Sequence, residues 1–422
     1  MASFKLSMSL SETISYHFDI YFQYYIKIRS NRGDDIVKKM LPRVIAFIII
    51  TVVLLASSLK GCIMRQNSEK RLNIEVTKWD NFYEGNNIHF YYMNFNDDIV
   101  VDFGKKYRLD KLVNNENDLI TALNYLIWLH DKTNIINKIG DNKEAKYIEL
   151  NSEKKINVSS EEFKSLFTEG IAFLNIYARS GILRTENVIK GNGAYKVFEV
   201  WSKKYGKWIM VDVLNENIME RNGQPLSAID VIYNGIENVN AIDAKKIVSL
   251  ENETYSYDKK DSKYLSKMEK YFWSYSIPIN NNNDNKNVNA YITFIPKGKI
   301  PQICTKEGFI PPTVFVNDKS MFNISPLVKY VNNKTDDKIT FILSKSKEDS
   351  KKGVVSFIGG AFKNSVQVKD YFYSINGHDW INVNENYFFE FDVKPGENTI
   401  SISKDGKNVE RKIVLQNNIR VD

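Results

Sequence analysis

The spacing of apolar positions changes several times along the chain, and each change marks a new kind of element. Residues 44–59 read VIAFIIITVVLLASSL with no charge, between Arg43 and Lys60. A run that is apolar on every side is what a membrane span requires, and Leu41, Pro42 and Gly61 lengthen it toward the ~20 residues that cross a bilayer. Upstream, Ile14, Phe18, Tyr21, Phe22, Tyr25 and Ile28 recur at helical spacing. With Lys27 and Arg29 beside them they predict an amphipathic segment that lies on the inner leaflet or docks on a partner. Lys27, Arg29, Arg32, Lys38, Lys39 and Arg43 outnumber Lys60, Arg65, Lys70 and Arg71 on the other side, which favours a cytoplasmic N-terminus and an exported remainder.

Beyond a polar linker the period shortens to two. The runs LNIEVTKW, NIHFYYMNF and DIVVDF within 72–103 predict strands. Helical spacing returns over 107–137, where Tyr107, Leu109, Leu112, Leu119, Leu123, Leu126, Ile127 and Leu129 form one face. A second helix is predicted over 160–180. Ser159 and Ser160 precede two glutamates, Phe163, Leu166, Phe167, Ile171 and Leu174 repeat on one face, and Gly181 reads as its C-terminal cap. RTENVI, AYKVFEVW and KWIMVDVL then read as strands, the last two joined by the tight turn SKKYGK. Residues 240–285 are charged and helical in parts, and NNNNDNKN reads as a linker. From Val288 onward ITFILS, GVVSFIGG, YFYSING, YFFEFDV, NTISISK and ERKIVL are short strands at even spacing, the pattern of a β-sandwich.

Composition narrows the function. The 422 residues are 43% hydrophobic and include 24 Tyr, 24 Phe and 6 Trp, enough for two or three packed domains. The net charge of +7 is spread among interleaved Lys and acidic residues, with no basic cluster of the kind a nucleic-acid surface needs. Two cysteines, Cys62 and Cys304, exclude a disulfide framework and a multi-cysteine zinc site. No metal constellation, cofactor motif or phosphate loop is present; KKGVVSFIGG lacks the Lys-Ser/Thr that a nucleotide loop requires. The text LKGC at 59–62 resembles a bacterial lipobox, although Lys60 stands where a small uncharged residue is usual.

The text AFLNIYARSGILRTENV, followed by YKVFEVWSKKYGKWIMVDVLNENIMERNGQPLSAIDV, resembles bacterial transglutaminase-like domains of the papain-like class. Gly206-Lys207-Trp208 and Asp212 fall at that family's spacing after Glu199-Val200-Trp201. The resemblance covers about 105–235. It implies a cysteine at the start of a helix, a histidine base on a following strand and an aspartate one strand further that orients the histidine. Counted back from Gly181 and Glu199, the cysteine position falls on Leu166, beside Ser165, and the histidine position on Tyr195; Asp212 fits its own slot. Neither Cys nor His occurs between 131 and 303, so the resemblance implies a pseudoenzyme with no catalytic residue, its ligand cleft at Leu166, Tyr195 and Asp212.

Two alternatives stay open. Glu169 and Glu199 could serve with Asp212 as an acid/base set, making the chain an envelope hydrolase acting on polysaccharide or peptidoglycan. The body could also be a structural stalk. His130, in WLHDK, reads as a satisfied structural histidine. The C-terminal text YSINGHDWINVNENYFFEFDVKPGENTISISKDGKN resembles bacterial immunoglobulin-like repeats, which implies that Trp380 and Phe389 pack its core and that Pro395-Gly396-x-Asn398 turns into a strand. Phe388 and Phe389 are adjacent and cannot both point inward.

The expected fold class is α+β, with a cytoplasmic segment at 1–42, a transmembrane helix at 43–61, a linker and β-rich lead-in at 62–104, a degenerate transglutaminase-like domain at 105–285 and an immunoglobulin-like sandwich at 286–422. The expected protein is membrane-anchored and extracytoplasmic, without a cofactor or nucleic acid. Its expected role is to bind an envelope peptide, glycan or partner protein at a bacterial plasma membrane. No feature of the sequence fixes an oligomeric state.

Overall fold

The computed structural model of the chain describes residues 74–136, 144–150, 154–186, 193–249, 260–282, 290–305, 308–328, 334–349, 352–364, 366–384 and 386–418, within one compact unit, Arg71–Asp422. The apolar run 44–59, the amphipathic segment before it and Cys62 lie outside the described residues.

The first described strand, β1 (Ile74–Asp80), pairs with the last and is taken up with it below. A central sheet is built from β2 (Ala178–Arg184), β3 (Ala194–Ser202), β4 (Lys207–Asp212), β5 (Asn217–Arg221), β6 (Asn240–Asp243), β7 (Ser274–Pro278), β8 (Tyr291–Phe294) and β9 (Thr313–Val316). Their order across the sheet is β6-β5-β4-β3-β2-β7-β8-β9, antiparallel except for the parallel pair β8–β9. Alternation sorts the side chains: Phe198, Val200, Ile209 and Val211 face one core, while Val197, Met210, Leu183 and Tyr275 face another.

The first core is covered by α1 (Asp98–Tyr107), α2 (Asp118–Lys132) and α3 (Ser160–Phe173). The second is covered by α4 (Ala228–Asn234), by α6 (Lys260–Glu269) and by the 3-10 turn Lys319–Phe322; the short α5 (Ala244–Ser249) adds Ile247 to the first.

A two-sheet sandwich follows. One sheet runs β1-β16-β15-β12-β13, made with β12 (Phe372–Ile375), β13 (Ile381–Asn382), β15 (Gly396–Ser403) and β16 (Arg411–Asn417). The other pairs β10 (Thr340–Asp349) with β11 (Val354–Lys363), whose far edge takes β14 (Phe388–Val393) and the short strand Val366–Gln367. Side chains of both sheets close a third core.

The α+β expectation is overturned for the described body, and the transmembrane segment expected at 43–61 lies outside the described residues. The body is mainly β, with 39% strand against 24% helix, and among the described residues no helix is long and apolar enough to cross a membrane. The helical periods are shorter than their spacing suggested. Arg108 (φ 54) ends α1 and Asn175 (φ 57) ends α3, each in the left-handed conformation that stops a helix. The Asn175 N–H donates to Ala172 and the Ile176 N–H to Ile171, closing the last turn of α3. Gly181 is therefore not a cap. It sits inside β2, where the ring of Tyr275 lies against the place a Cβ would occupy. In the other direction, DIVVDF is the start of α1, capped by the Asp97 carboxylate accepting from the Ile99 N–H at 2.9 Å. A six-residue apolar run fits either element, and the cap decides it.

The boundary at 285/286 falls inside the central sheet, because β8 and β9 continue it, and the sandwich takes β1 from well before that point.

Helix α3 also carries a buried cation. Lys164 donates to Glu161 at 2.9 Å, and Glu161 also meets Lys196. Burial first, and then the charge of Lys196, push the Lys164 ammonium down to about 8. Between pH 8 and its ordinary value near 10.4 the unfolded chain holds this proton while the folded chain has lost it, so stability rises with pH across that window. Lys164→Met is expected to flatten the rise and to raise stability at pH 7. Urea midpoints from pH 7 to 10.5 measure it, and a variant with the parent slope would sink the assignment.

Candidate functional site

The two strand positions that the resemblance picks out come together. Tyr195 is the second residue of β3 and Asp212 ends β4, adjacent strands whose register puts both side chains on the same face. The Tyr195 hydroxyl donates to Asp212 Oδ2 at 2.5 Å. The same oxygen accepts from the Tyr264 hydroxyl at 2.7 Å and from Asn215 Nδ2 at 2.9 Å. Asn215 Nδ2 also reaches the Tyr195 oxygen. The second oxygen, Oδ1, accepts the backbone N–H groups of Leu214 and Asn215, both at 3.2 Å. With this many donors neither oxygen of the Asp212 side chain is left without a hydrogen-bond partner.

Tyr264 comes from α6, and the ring of Tyr271 just beyond that helix packs on Tyr195 with centroids 5.3 Å apart. The group is thereby roofed, and Asp212 is 2% exposed. Burial, then the charge of Asp212, push both tyrosine hydroxyls well above their ordinary value, so both stay protonated. A tyrosine in that state donates a hydrogen bond and cannot act as a base near neutral pH.

Leu166 is not part of this group. It lies in the middle of α3, 0% exposed, in the core on the opposite face of the sheet, and its carbonyl accepts from the Tyr125 hydroxyl at 2.6 Å. The count that chose it used Gly181 as the end of the helix, whereas α3 ends eight residues earlier at Phe173. The helix start is instead Ser160, behind a capping box in which Ser159 and Glu162 satisfy each other's backbone. Ser165 accepts from the Ala145 N–H at 3.2 Å.

The two alternative acids are placed apart and engaged. Glu199 is buried beside Arg179, which donates through Nε at 2.8 Å and Nη2 at 2.6 Å to Oε2. Its other oxygen accepts from the Ala228 N–H at the start of α4, at 2.9 Å. Burial works to lower the Arg179 guanidinium, and Glu199 together with Tyr275 and Tyr92 more than offsets it, holding the guanidinium above its ordinary value. Arg179 lies over the indole of Trp208 at 4.1 Å, and Tyr92 stacks on the same indole. Glu169 is buried on α3, in the helix-side layer with Leu166, where its charge helps burial raise the Tyr125 hydroxyl. Glu169 lies in the helix layer, whereas Glu199 and Asp212 stand on one face of the β3–β4 pair, two residues apart along it, with Glu199 held by Arg179 and Asp212 enclosed by tyrosines.

His130 takes the structural role expected of it, with Nε2 2.7 Å from the Val213 carbonyl and its ring against Phe163. Cys304 is buried and its thiol is pushed up to about 12, chiefly by burial. Among the described residues no group of His, Cys, Asp and Glu is arranged to hold a metal ion.

Sequence reasoning missed Tyr264, Asn215 and Arg179. Asn215, three residues after Asp212, is the kind of short polar side chain that turns back on its own loop, a signal that could have been used. Tyr264 follows a polar stretch and gives no local sign of its target.

Compared with known protein families, with curated proteins and with solved structures, the chain finds no match in any of the three.

Proposed function

We propose that this protein is a non-catalytic binding or scaffolding protein of the bacterial cell envelope, descended from a transglutaminase-like hydrolase whose reactive positions have become part of the packed interior. The observation that carries the reading is the Tyr195–Asp212 pair. It occupies the places of base and orienting acid in the resemblance, yet its hydroxyl is spent on Asp212 under the roof of Tyr264 and Tyr271. The apolar run 44–59 supports placing the body at a membrane.

The carboxylate-hydrolase reading has little support, since Glu199 is committed to Arg179 and Ala228. The stalk reading gains from one observation: Leu166 and Tyr195 belong to opposite faces of the sheet, so no cleft joins them. Ligand binding is accordingly assigned to the rest of the surface and not to the former reaction centre.

The full chain is expected to show no hydrolysis of peptide amides and no amine exchange onto glutamine side chains. Tyr195→Phe removes one donor to a buried carboxylate and is expected to cost about 1.5–3 kcal/mol of stability with no change in either assay. Turnover that survives thiol blocking and is abolished by Tyr195→Phe or Asp212→Asn would overturn the reading.

A further inference from the structure

The outer face of the sandwich carries an open groove of about 560 Å³, lined by Ser374, His378, Trp380, Glu397, Thr399, Ser401 and Lys412 among others. That volume lies within the ~300–1,000 Å³ typical of small-ligand sites. The groove is built and held by the backbone. Asn376 (φ 55) and Gly377 (φ 74) are successive left-handed residues in the tight turn between β12 and β13. The His378 N–H returns to the Ile375 carbonyl at 3.1 Å, and the Ser374 hydroxyl donates to the His378 carbonyl at 2.5 Å. Asn376 is tied in both directions to Thr399 of β15, at 2.8 and 2.7 Å. The turn therefore overhangs the sheet in a fixed position and carries Trp380 at its end.

Trp380 was expected to pack the sandwich core. It does not: the core closes without it, and the indole stays half-exposed over the groove. Beneath and around it stand hydroxyls (Thr399, Ser401), one carboxylate (Glu397) and one ammonium (Lys412), on the outward side of β15 and β16. Among the described residues neither Glu397 nor Lys412 has an ion-pair partner. Val409, 54% exposed, supplies one further apolar contact.

We propose that this groove binds a neutral β-linked oligosaccharide of glucose or N-acetylglucosamine type. The indole offers a flat apolar surface to the C–H face of an equatorially substituted pyranose. The hydroxyl, carboxylate and ammonium groups meet the hydroxyls at its rim. The lining holds one carboxylate and one ammonium, well separated along the β15–β16 ladder, so its formal charges cancel and select no anionic polymer. A peptide fits less well, because the lining offers only Trp380 and Val409 as apolar contacts, where an extended peptide needs apolar pockets repeated at strand spacing. The inference rests on the non-catalytic reading only in assigning binding without turnover.

The test is calorimetric titration of the full chain with the hexamers of N-acetylglucosamine and of glucose, both β-1,4-linked. Binding of at least one hexamer is expected. Trp380→Ala should weaken it at least tenfold with an unchanged thermal midpoint, since Trp380 belongs to no core, and Glu397→Gln should weaken it several-fold. Failure of both hexamers to bind at millimolar concentration, or equal binding by Trp380→Ala, overturns the proposal. Those failures leave the absence of amide chemistry untouched, whereas amide turnover would overturn the non-catalytic reading alone.

Discussion

Glu199→Ala is expected to destabilise the protein by about 3–5 kcal/mol, the range found when one partner of a buried ion pair is removed. The substitution strands Arg179, which is 0% exposed at its side chain and donates with two of its nitrogens to the lost carboxylate. It also leaves the Ala228 N–H without its acceptor at the start of α4. The remaining partners of Arg179, the Phe322 carbonyl at 2.6 Å and the Trp208 ring, cannot neutralise a charge. The double variant Arg179→Met/Glu199→Leu is expected to recover most of the loss, because an apolar pair needs no compensation for leaving water. Urea midpoints of both singles and the double give the coupling directly. A Glu199→Ala loss under 1 kcal/mol would mean that the pair is solvated in solution and that the core around it is open.

Phe389→Ala is expected to cost a similar ~3–5 kcal/mol, the usual loss for a buried aromatic truncated to Ala. Its ring stacks on Tyr373 at 4.3 Å, lies 5.6 Å from Phe391, and is seated on Gly359, where any Cβ would collide with it. Its neighbour Phe388 is 56% exposed, and Phe388→Ala should change stability by less than ~0.5 kcal/mol. The loss at Phe389 should appear in a single unfolding transition. Phe315 of β9 packs in the sandwich core while its strand neighbours Val314 and Val316 pack under the central sheet, and Ile342 and Phe362 of the sandwich touch that second core. Two resolved transitions, of which Phe389→Ala shifts one, would show that the shared strand does not couple the layers.

What the sequence made legible follows the range of the interactions involved. The six late strands are visible because each is short, rich in β-branched and aromatic residues and followed by its own turn, and all six are present. Within the candidate site, Tyr195 and Asp212 were located through the spacing around EVW and GKW, which two adjacent antiparallel strands preserve. Leu166 was misplaced because a glycine that accommodates the Tyr275 ring looks, in one dimension, like a glycine that ends a helix. The residue that does end it is Asn175, the other residue type that tolerates that conformation. Trp380 differs for a related reason: an aromatic after a turn can go inward or outward, and its local sequence does not distinguish the two. Asn398, by contrast, was read from the Pro-Gly-x-Asn text and does close its turn, with Nδ2 donating to the Lys394 carbonyl at 2.7 Å and Oδ1 accepting the Lys394 N–H at 3.0 Å. Long-range partners such as Tyr264, 52 positions from Asp212, leave no local trace.

The pairing of β1 with β16 has a mechanical side. Ile74 lies opposite Asn417 and Asp80 opposite Lys412, so the chain enters β1 at the same end of the ladder where it leaves β16. Opposed pulls on those two ends would unzip the ladder one rung at a time, with little resistance. A pull on Ile74 that is resisted anywhere deeper in the body loads every rung together in shear, the stronger geometry. A chain held from its N-terminal side and gripped through the sandwich face would thus be strained along its stiff direction, and the weak one would be spared.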